Sequence, residues 1–387
     1  MTVTPLHRPV RLIQVGAGAM GQAWLRTVLA SDDAQLVGLV DLDQDAARRG
    51  AEAAGLPDLP IGTSVTQLAR EVDADAVLNV TVPVAHHPVS LEAMFAGFPV
   101  LCEKPVAPTV AQALSMVAAS EVTGQLLMIS QSRRYFRSLR RFRRLVRELG
   151  EIGTIGCEFF KAPHFGGFRE QMDHPLLVDM AIHHFDAARY LIGAEPVSVY
   201  CDAYNPGWSW YAGDAAAVAT FEFTDGARFV YNGSWCAPGA ETSWNGRWRV
   251  SSERGTAMWD GDHDPTTDVP DNGDAIGDVD VAAQPDAAQA DDDMQRDNEP
   301  EEIAGSLAEF IHVLRTGATP SGEVHGNVLS LSMVEAAVQS ASTRQRIALS
   351  DVLAASHTEA IQAEQRDDVR ATLEKWKDVR ETVGLVF

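Results

Sequence analysis

The chain has 387 residues, of which 45% are hydrophobic, and its net charge is −23. This length predicts two domains, and the acidic surface argues against a nucleic-acid partner. No apolar run reaches the roughly 18 residues of a membrane span, and the N-terminus lacks the apolar core of a secretory signal, so we expect a cytoplasmic protein without a membrane partner.

A dinucleotide-binding turn follows the first predicted strand. Residues 12–15 are typical of a buried parallel strand, and a helical pattern over residues 22–30 follows the motif G-x-G-x-x-G. The first glycine permits a tight turn, the second lets backbone approach a pyrophosphate, and the third lets the helix pack closely on the strand. The helix N-terminus offers N–H groups to the phosphates. The residues predicted to bind the dinucleotide here are Gly16, Gly18, Ala19, Met20 and Gly21.

An acidic residue ends the second predicted strand. Asp41 lies twenty residues beyond Gly21, where a ribose-binding carboxylate is expected in such a motif. A carboxylate there accepts hydrogen bonds from the ribose hydroxyls and repels a 2′-phosphate. We therefore predict NAD in preference to NADP, although Arg48 and Arg49 are close in the sequence.

Two further strands of the first domain lead into polar residues. Residues 76–81 and 99–102 are the predicted strands, and the carboxyl ends of parallel strands line the cofactor crevice. The residues at these ends that we predict to bind the cofactor are Thr81, Pro83, His86, Glu103 and Lys104.

The second part of the chain has a different pattern. A strand over 156–162 and a helix over 176–192 precede four β-like segments (197–203, 215–223, 228–234 and 247–251), which predicts an open, mainly antiparallel sheet. Two later segments, 303–316 and 327–343, are predicted helices. The acidic stretch 261–300 predicts a long, mobile surface loop.

These patterns predict an α/β protein. Its N-terminal Rossmann domain covers residues 1–131, and an α+β substrate and oligomerisation domain with the open sheet covers 132–350. Residues 351–387 are predicted to form a C-terminal helical extension. An open sheet leaves one apolar face uncovered, so we expect a homodimer or homotetramer.

The chain resembles the Gfo/Idh/MocA oxidoreductases, which are two-domain NAD(P)-dependent enzymes acting mostly on sugars and polyols. The resemblance extends to about residue 350. Ala181 is a departure, because the family commonly has glycine there. The motifs that carry the resemblance are the glycine turn, T-x-P at 81–83 with His86, E-K-P at 103–105, and D-x-x-x-H-x-x-D at Asp179, His183 and Asp186.

The resemblance implies catalytic roles for three residues. Lys104 would hold and polarise the reacting hydroxyl or carbonyl, His183 would be the acid/base, and Asp179 would bind a neighbouring hydroxyl and tune His183. Asp179 and His183 are four residues apart, so they share a helix face, and histidine suits proton exchange near neutrality. A surface ion pair is the alternative for these two. Asp186 is expected to be structural, for example paired with Arg189 or capping a backbone group.

Weaker signals concern the substrate. Trp235 and Trp244 are candidates because aromatic faces bind sugar C–H surfaces, although tryptophans also build cores and interfaces. His164, Arg169 and His174 precede the catalytic helix and are candidates to contact substrate hydroxyls or a carboxylate, with an ordinary surface role as the alternative. No spacing matches a zinc motif and the four cysteines are far apart, so we expect no metal.

The sequence thus predicts an NAD-dependent dehydrogenase acting on CH–OH groups. Hydride would pass between NAD and a hydroxyl of a sugar, cyclitol or sugar acid, with Lys104 and His183 managing the hydroxyl proton. Two other functions stay open at this point. One is an NAD-dependent glycosidase or lyase that oxidises its sugar transiently, and the other is a non-catalytic NAD-binding protein.

Overall fold

The computed structural model describes residues 8–270 and 299–385, which form two compact units. Of the described residues, the first unit contains those up to Ser132, Pro300–Leu331, and residues 353–385. The second unit contains residues 133–270, Glu299, and Ser332–Val352. The division predicted at residues 131 and 350 stays a prediction, but the late segments of the first unit show that chain order alone does not define the units.

A six-stranded parallel sheet forms the centre of the first unit. Its strands are β1 (Val10–Val15), β2 (Ala34–Val40), β3 (Ile61–Gly62), β4 (Ala76–Asn79), β5 (Val100–Glu103) and β6 (Leu127–Ser130). Every residue of β4, β5 and β6 is buried, as expected for parallel strands covered on both faces. The strand order is β3-β2-β1-β4-β5-β6, so the order reverses between β1 and β4. Ligands bind outside the carboxyl ends of the strands at such a point.

Local sequence signals set the starts of several helices around this sheet. The helices are α1 (Ala19–Leu29), α2 (Gln44–Ala53), α3 (Val65–Glu71), α4 (Pro83–Phe95) and α5 (Val110–Thr123). Ser64 Oγ accepts the backbone N–H of Gln67 at 3.2 Å, and Thr109 and Asp43 cap their helices in the same way. The Gln67 side chain donates to Glu71 at 2.8 Å, so Ser64 and Gln67 form only half of a capping box.

An eight-stranded sheet forms the second unit. Its strands are β7 (Ile152–Phe160), β8 (Pro196–Tyr204), β9 (Ala216–Phe223), β10 (Arg228–Ser234), β11 (Arg247–Ser252), β12 (Gly255–Trp259), β13 (Thr266–Asp268) and β14 (Ile347–Ala348). The order is β13-β12-β11-β7-β10-β9-β8-β14, and all pairings are antiparallel except that of β7 with β10. These two sheets confirm the predicted fold. The last three strands were not predicted, and residues 271–298 of the predicted acidic loop lie outside the described residues.

Helices cover one face of this second sheet. They include α6 (Arg137–Glu148) and α7 (Ile182–Ile192), and Phe185 of α7 packs on Phe221 with ring centroids 4.8 Å apart. The other face is more open. In β11, Trp248 is buried, whereas Arg247 and Arg249 on either side of it are exposed. This alternation is typical of a sheet with one covered face.

The late part of the chain is helical. It forms α8 (Glu302–Thr316), α9 (Val324–Thr343), α10 (Leu349–Ala363), α11 (Asp367–Lys375) and α12 (Val379–Thr382). Ser115 of α5 donates to Glu364 at 2.5 Å, and Trp376 donates to Glu121 of α5 at 2.9 Å. The C-terminal extension therefore packs on the first unit. In the described part of the chain, no helix has the length and apolar character needed to cross a membrane.

Candidate active site

The three glycines of the turn after β1 differ in how much space surrounds them. Gly16 has a φ of +104°, and a Cβ there would lie 2.5 Å from the carbonyl oxygen of Val80. A Cβ on Gly21 would lie 2.4 Å from the carbonyl oxygen of Gly16. A Cβ on Gly18 would meet nothing within 4 Å. The protein's own packing thus requires the first and third glycines, whereas the second borders free space.

The start of α1 suits a bound anion. No side chain caps this helix after Gly18, and no acidic residue lies in its first turn. An uncapped helix N-terminus directs N–H groups and a positive dipole end outward, which fits the pyrophosphate of a dinucleotide. The predicted phosphate-binding residues Ala19 and Met20 are exposed at this position.

Asp41 is fixed beside the glycine turn. One carboxylate oxygen accepts the N–H of Ala17 at 2.8 Å, and the other accepts the N–H of Asp43 at 2.9 Å. Each oxygen retains a second lone pair for a ribose hydroxyl. The carboxylate directly follows β2 and can accept further hydrogen bonds; its role in binding the ribose stays a prediction.

His86 connects the turn after β4 to the E-K-P segment after β5. Its Nδ1 lies 2.6 Å from the carbonyl oxygen of Pro105 and its Nε2 lies 3.0 Å from that of Thr81. Burial lowers the pKa of His86, and the two carbonyls oppose this shift. A neutral imidazole has one N–H, so it donates to one carbonyl at a time. His86 is buried, and its two ring nitrogens bridge the two loops. Pro83 is the first residue of α4.

A buried carboxylate holds the backbone of Lys104. Glu103 Oε1 accepts the indole N–H of Trp24 at 2.8 Å, and Oε2 accepts the N–H of Lys104 at 3.1 Å. Burial raises the pKa of Glu103, and the charge of Lys104 opposes this rise. Trp24 belongs to α1, so Glu103 connects the helix after the glycine turn with Lys104. Trp24 was not among the predicted site residues; the signal for it was its place on the core-facing stripe of α1.

The predicted catalytic helix of the second unit begins as a π-helix. Leu176–Ala181 form this wider turn, and α7 continues from it. A π-helical turn rotates each residue by less than an α-helix does, so Asp179 and His183 come closer to one line along the helix. His183 is 8% exposed and Asp179 is half-buried. The sequence predicted a continuous α-helix here, and such insertions occur frequently at functional sites.

Two arginines pair with the carboxylates of this helix. Arg169 Nε donates to Asp179 Oδ2 at 2.7 Å, which brings together two of the predicted site residues. Arg134 forms a bidentate ion pair with Asp186, in which Nη2 donates to Oδ1 at 2.7 Å and Nε donates to Oδ2 at 2.8 Å. Pairing with Arg189 or capping of a backbone group was expected for Asp186; the structure shows Arg134 bound to Asp186, while Arg189 donates to Glu195 at 2.6 Å. Asp186 is buried and holds Arg134 in the fold.

The remaining substrate candidates lie in different surroundings. His164 stacks on Trp210 with ring centroids 3.8 Å apart, and His174 Nδ1 lies 3.5 Å from a carboxylate oxygen of Asp214. Trp235 is buried in the core, whereas Trp244 is exposed and lies 5.1 Å from Lys161 Nζ. Of these residues, Trp244 has the accessible ring that sugar binding needs. Across residues 8–270 and 299–385, no group of three or more metal-ligating side chains forms a metal site.

Two family models match the chain. One is described as "Oxidoreductase family, NAD-binding Rossmann fold" and matches residues 10–131. The other is described as "GFO/IDH/MocA C-terminal domain" and matches residues 139–258.

Two relatives are similar to the chain in sequence. The uncharacterized protein y4oX of Sinorhizobium fredii is 32% identical over 261 residues, which are 65% of this chain and 72% of y4oX. Inositol 2-dehydrogenase 4 of Saccharopolyspora erythraea is 32% identical over 198 residues, 50% of this chain and 57% of the relative. The chain therefore spans a little over half the length of that dehydrogenase.

A crystal structure of an oxidoreductase from Agrobacterium radiobacter, in complex with NAD+, L-tartaric acid and magnesium, has a TM-score of 0.74. It is 17% identical, and the likeness covers 89% of this chain and 99% of the other. At this identity the likeness shows the shared fold. The matches to the two family models confirm the predicted cofactor, NAD, and the predicted class of enzyme, an oxidoreductase.

Proposed function

The chain belongs to the Gfo/Idh/MocA family of NAD-binding oxidoreductases, and we propose that it oxidises a hydroxyl of a cyclitol, sugar or sugar acid. The observation that carries this proposal is the position of Lys104. It follows the carboxyl end of β5, at the sheet edge where the glycine turn and Asp41 end β1 and β2. Relatives named inositol 2-dehydrogenase support a cyclitol or sugar as substrate.

The proposed chemistry divides the work between cofactor and protein. NAD, when bound, supplies the hydride acceptor. The Lys104 ammonium holds and polarises the substrate hydroxyl, and the neutral imidazole of His183 takes the hydroxyl proton. Asp179 orients His183 and stabilises its charged form. The alcohol thus loses a hydride and a proton and becomes a carbonyl.

The residues around the glycine turn favour NAD over NADP in this proposal. Asp41 carries a negative charge where the ribose 2′-position of the dinucleotide would lie, and a 2′-phosphate would be repelled there. Gly18 and the uncapped start of α1 would receive the pyrophosphate.

Spectroscopic detection of NADH across a panel of cyclitols, aldoses, aldonates and uronates tests the proposal. We expect NADH with at least one of these substrates, and Lys104→Ala should abolish turnover while leaving NAD binding nearly intact. Lys375→Ala is the matched control, because it removes an exposed lysine of α11. Turnover that survives in Lys104→Ala would refute the role of Lys104.

Release of an aglycone from a glycoside without net NADH would instead indicate the glycosidase or lyase reaction. NAD binding with no activity on the panel would indicate a non-catalytic protein.

We also propose that the open face of the eight-stranded sheet joins copies of this chain in a homodimer or homotetramer. Tyr200, Val218 and Met258 are exposed by 45%, 40% and 36%. Apolar side chains on the open face of a sheet favour association with a second copy, and most soluble oligomers are symmetric homo-oligomers. A cytoplasmic location stays a prediction.

A further inference from the structure

We propose that the substrate carries a carboxylate and that Arg169 binds this group. This inference rests on the proposed function, since it narrows the substrate class at the same site. It selects sugar acids, or other polyhydroxy acids, over neutral polyols.

Arg169 uses one edge of its guanidinium within the protein. It lies in a short 3-10 helix, Gly167–Gln171, and its Nε donates to Asp179 at 2.7 Å. Among the residues that the structure describes, its two terminal nitrogens have no hydrogen-bond acceptor, and its side chain is 39% exposed. An arginine presents its donors as a planar fork that matches both oxygens of a carboxylate. The terminal nitrogens thus remain available for such a group.

Two exposed aromatic rings flank this guanidinium. Its Cζ lies 5.4 Å from the ring centre of Phe165 and 5.0 Å from that of Phe168. These rings are 45% and 62% exposed. Cation–π contacts restrict the guanidinium and lower the entropy lost when it binds a ligand. Two exposed phenyl rings beside an exposed cation are typical of a recognition surface.

Asp179 explains why an arginine is needed for an acidic substrate. A substrate carboxylate close to Asp179 would meet a like charge, and Arg169 already offsets that charge at 2.7 Å. The chain as a whole carries −23, so an anion gains from a local cation at the site. A neutral polyol has no such requirement.

Other basic side chains of this region do not offer the same group. Lys161 Nζ donates to Glu241 at 2.8 Å, and a lysine ammonium is a point charge without the planar fork. His174 lies beside Asp214. Arg169 therefore has the geometry best suited to a carboxylate.

The inference is tested by comparing acidic substrates with neutral substrates of similar structure. Initial rates of NADH formation are measured with D-glucose and D-glucuronate, which differ at C6, and with myo-inositol and D-gluconate. We expect higher kcat/KM for the acids. Arg169→Gln should lower kcat/KM for the acids by about 10- to 100-fold, mainly through KM, because it removes a charge-assisted pair. The loss of kcat/KM with neutral substrates should be clearly smaller, because there only the Arg169–Asp179 pair is disturbed, and Arg169→Lys should restore part of the loss with the acids.

The control is Arg228→Gln, which removes a partly exposed arginine that pairs with Glu222 at 3.0 Å. Its kinetics should match those of the natural chain. A preference for neutral substrates would overturn the inference, and so would an equal loss for acids and neutral substrates in Arg169→Gln. An equal loss would mean that Arg169 acts only by holding Asp179.

Calorimetry with the NADH-loaded protein keeps the inference separate from the proposed function. Binding of glucuronate or gluconate that is lost in Arg169→Gln supports the carboxylate site even if no substrate of the panel is oxidised. Absence of NADH with every substrate would then count against the proposed function alone. Failure of both acids to bind would overturn the inference.

Discussion

Trp24 and Glu103, which lie 79 residues apart in the sequence, form a 2.8 Å hydrogen bond from the indole N–H to a buried carboxylate. The second oxygen of this carboxylate accepts the N–H of Lys104. A residue of the dinucleotide-binding helix is thereby connected to the proposed catalytic lysine. Since the carboxylate is buried, its charge depends on these donors.

Trp24→Phe tests this connection. The substitution keeps an aromatic ring in the core and removes the indole N–H, which leaves Glu103 short of one donor. Loss of a partner to a buried charged group costs about 1–3 kcal/mol, so we expect kcat to fall about tenfold or more. The pH dependence of kcat should shift as well, because the charge of Glu103 is altered next to Lys104. Steady-state kinetics over a pH series measures both effects.

Trp376→Phe is the matched control, because it removes another tryptophan–glutamate hydrogen bond, to Glu121 at 2.9 Å. Its kinetics should stay close to those of the natural chain. Equal losses in the two variants would show that the Trp24–Glu103 bond serves stability alone.

The glycine turn allows cofactor binding to be separated from folding. Gly18→Ala adds a methyl group that meets no protein atom within 4 Å, and the φ of Gly18 is −65°, which alanine adopts readily. We expect an unchanged melting temperature and a dissociation constant for NAD raised about tenfold or more, since the added methyl occupies the space where the pyrophosphate approaches. Calorimetric titration with NAD and a thermal melt measure the two quantities.

Gly16→Ala provides the contrast. Its methyl group would lie 2.5 Å from a carbonyl oxygen at a φ of +104°, so this variant should lose stability even without NAD. If Gly18→Ala bound NAD as tightly as the natural chain, the assignment of the turn to the pyrophosphate would be wrong.

The C-terminal extension should respond to pH through His325. Its ring nitrogens contact Glu323 at 2.7 Å and Glu121 at 3.1 Å, and Glu121 also accepts the indole N–H of Trp376. Burial lowers the pKa of His325, but the two carboxylates outweigh burial and the pKa is raised overall. A raised pKa in the folded state means that the stabilisation is fully present below about pH 6.5 and is lost as pH rises through the folded value.

Thermal melts of the natural chain and of His325→Gln measure this effect. The difference in melting temperature should be largest near pH 6 and should shrink toward about pH 8. His312→Gln is the control, because His312 is exposed on α8 and should show no such trend. A difference that grows with pH would contradict the expected sign.

The proposed assembly predicts a change of mass for a substitution on the open sheet face. Val218→Asp places a charge on the open face of the sheet, beside Asp202 on the neighbouring strand. We expect a dimer or tetramer for the natural chain and a shift toward monomer for the variant, since a charge buried at an interface is costly. Light scattering after size-exclusion chromatography measures the mass.

Val122→Asp, at a position 36% exposed on α5, is the control and should keep the natural mass. A natural chain that is a monomer at micromolar concentration would contradict the proposal directly.

Short-range patterns in the sequence were sufficient for much of the fold. The glycine turn, the acidic residue after β2 and the E-K-P segment each depend on neighbouring residues and on strands whose apolar runs are continuous. Helix starts at Ser64 and Thr109 depend on a residue three positions later. Hydrophobic periodicity and helix capping depend on residues that are close in the sequence, so these features could be predicted.

The π-helical turn before α7 could not be predicted in this way. An inserted residue changes the hydrogen-bond partner of each residue in the turn without changing the local composition. The sequence therefore indicated that Asp179 and His183 share a face, but not how closely they align.

What the sequence by itself determined was the class of each unit, the cofactor turn and the set of residues that can carry out the chemistry. Tertiary structure alone decided their partners: Trp24 with Glu103, Arg134 with Asp186, and the extension with α5. A side-chain pair between distant segments depends on how the chain packs, and many pairings satisfy the same charges. For this reason the sequence did not indicate that Asp186 binds Arg134, an arginine 52 residues earlier.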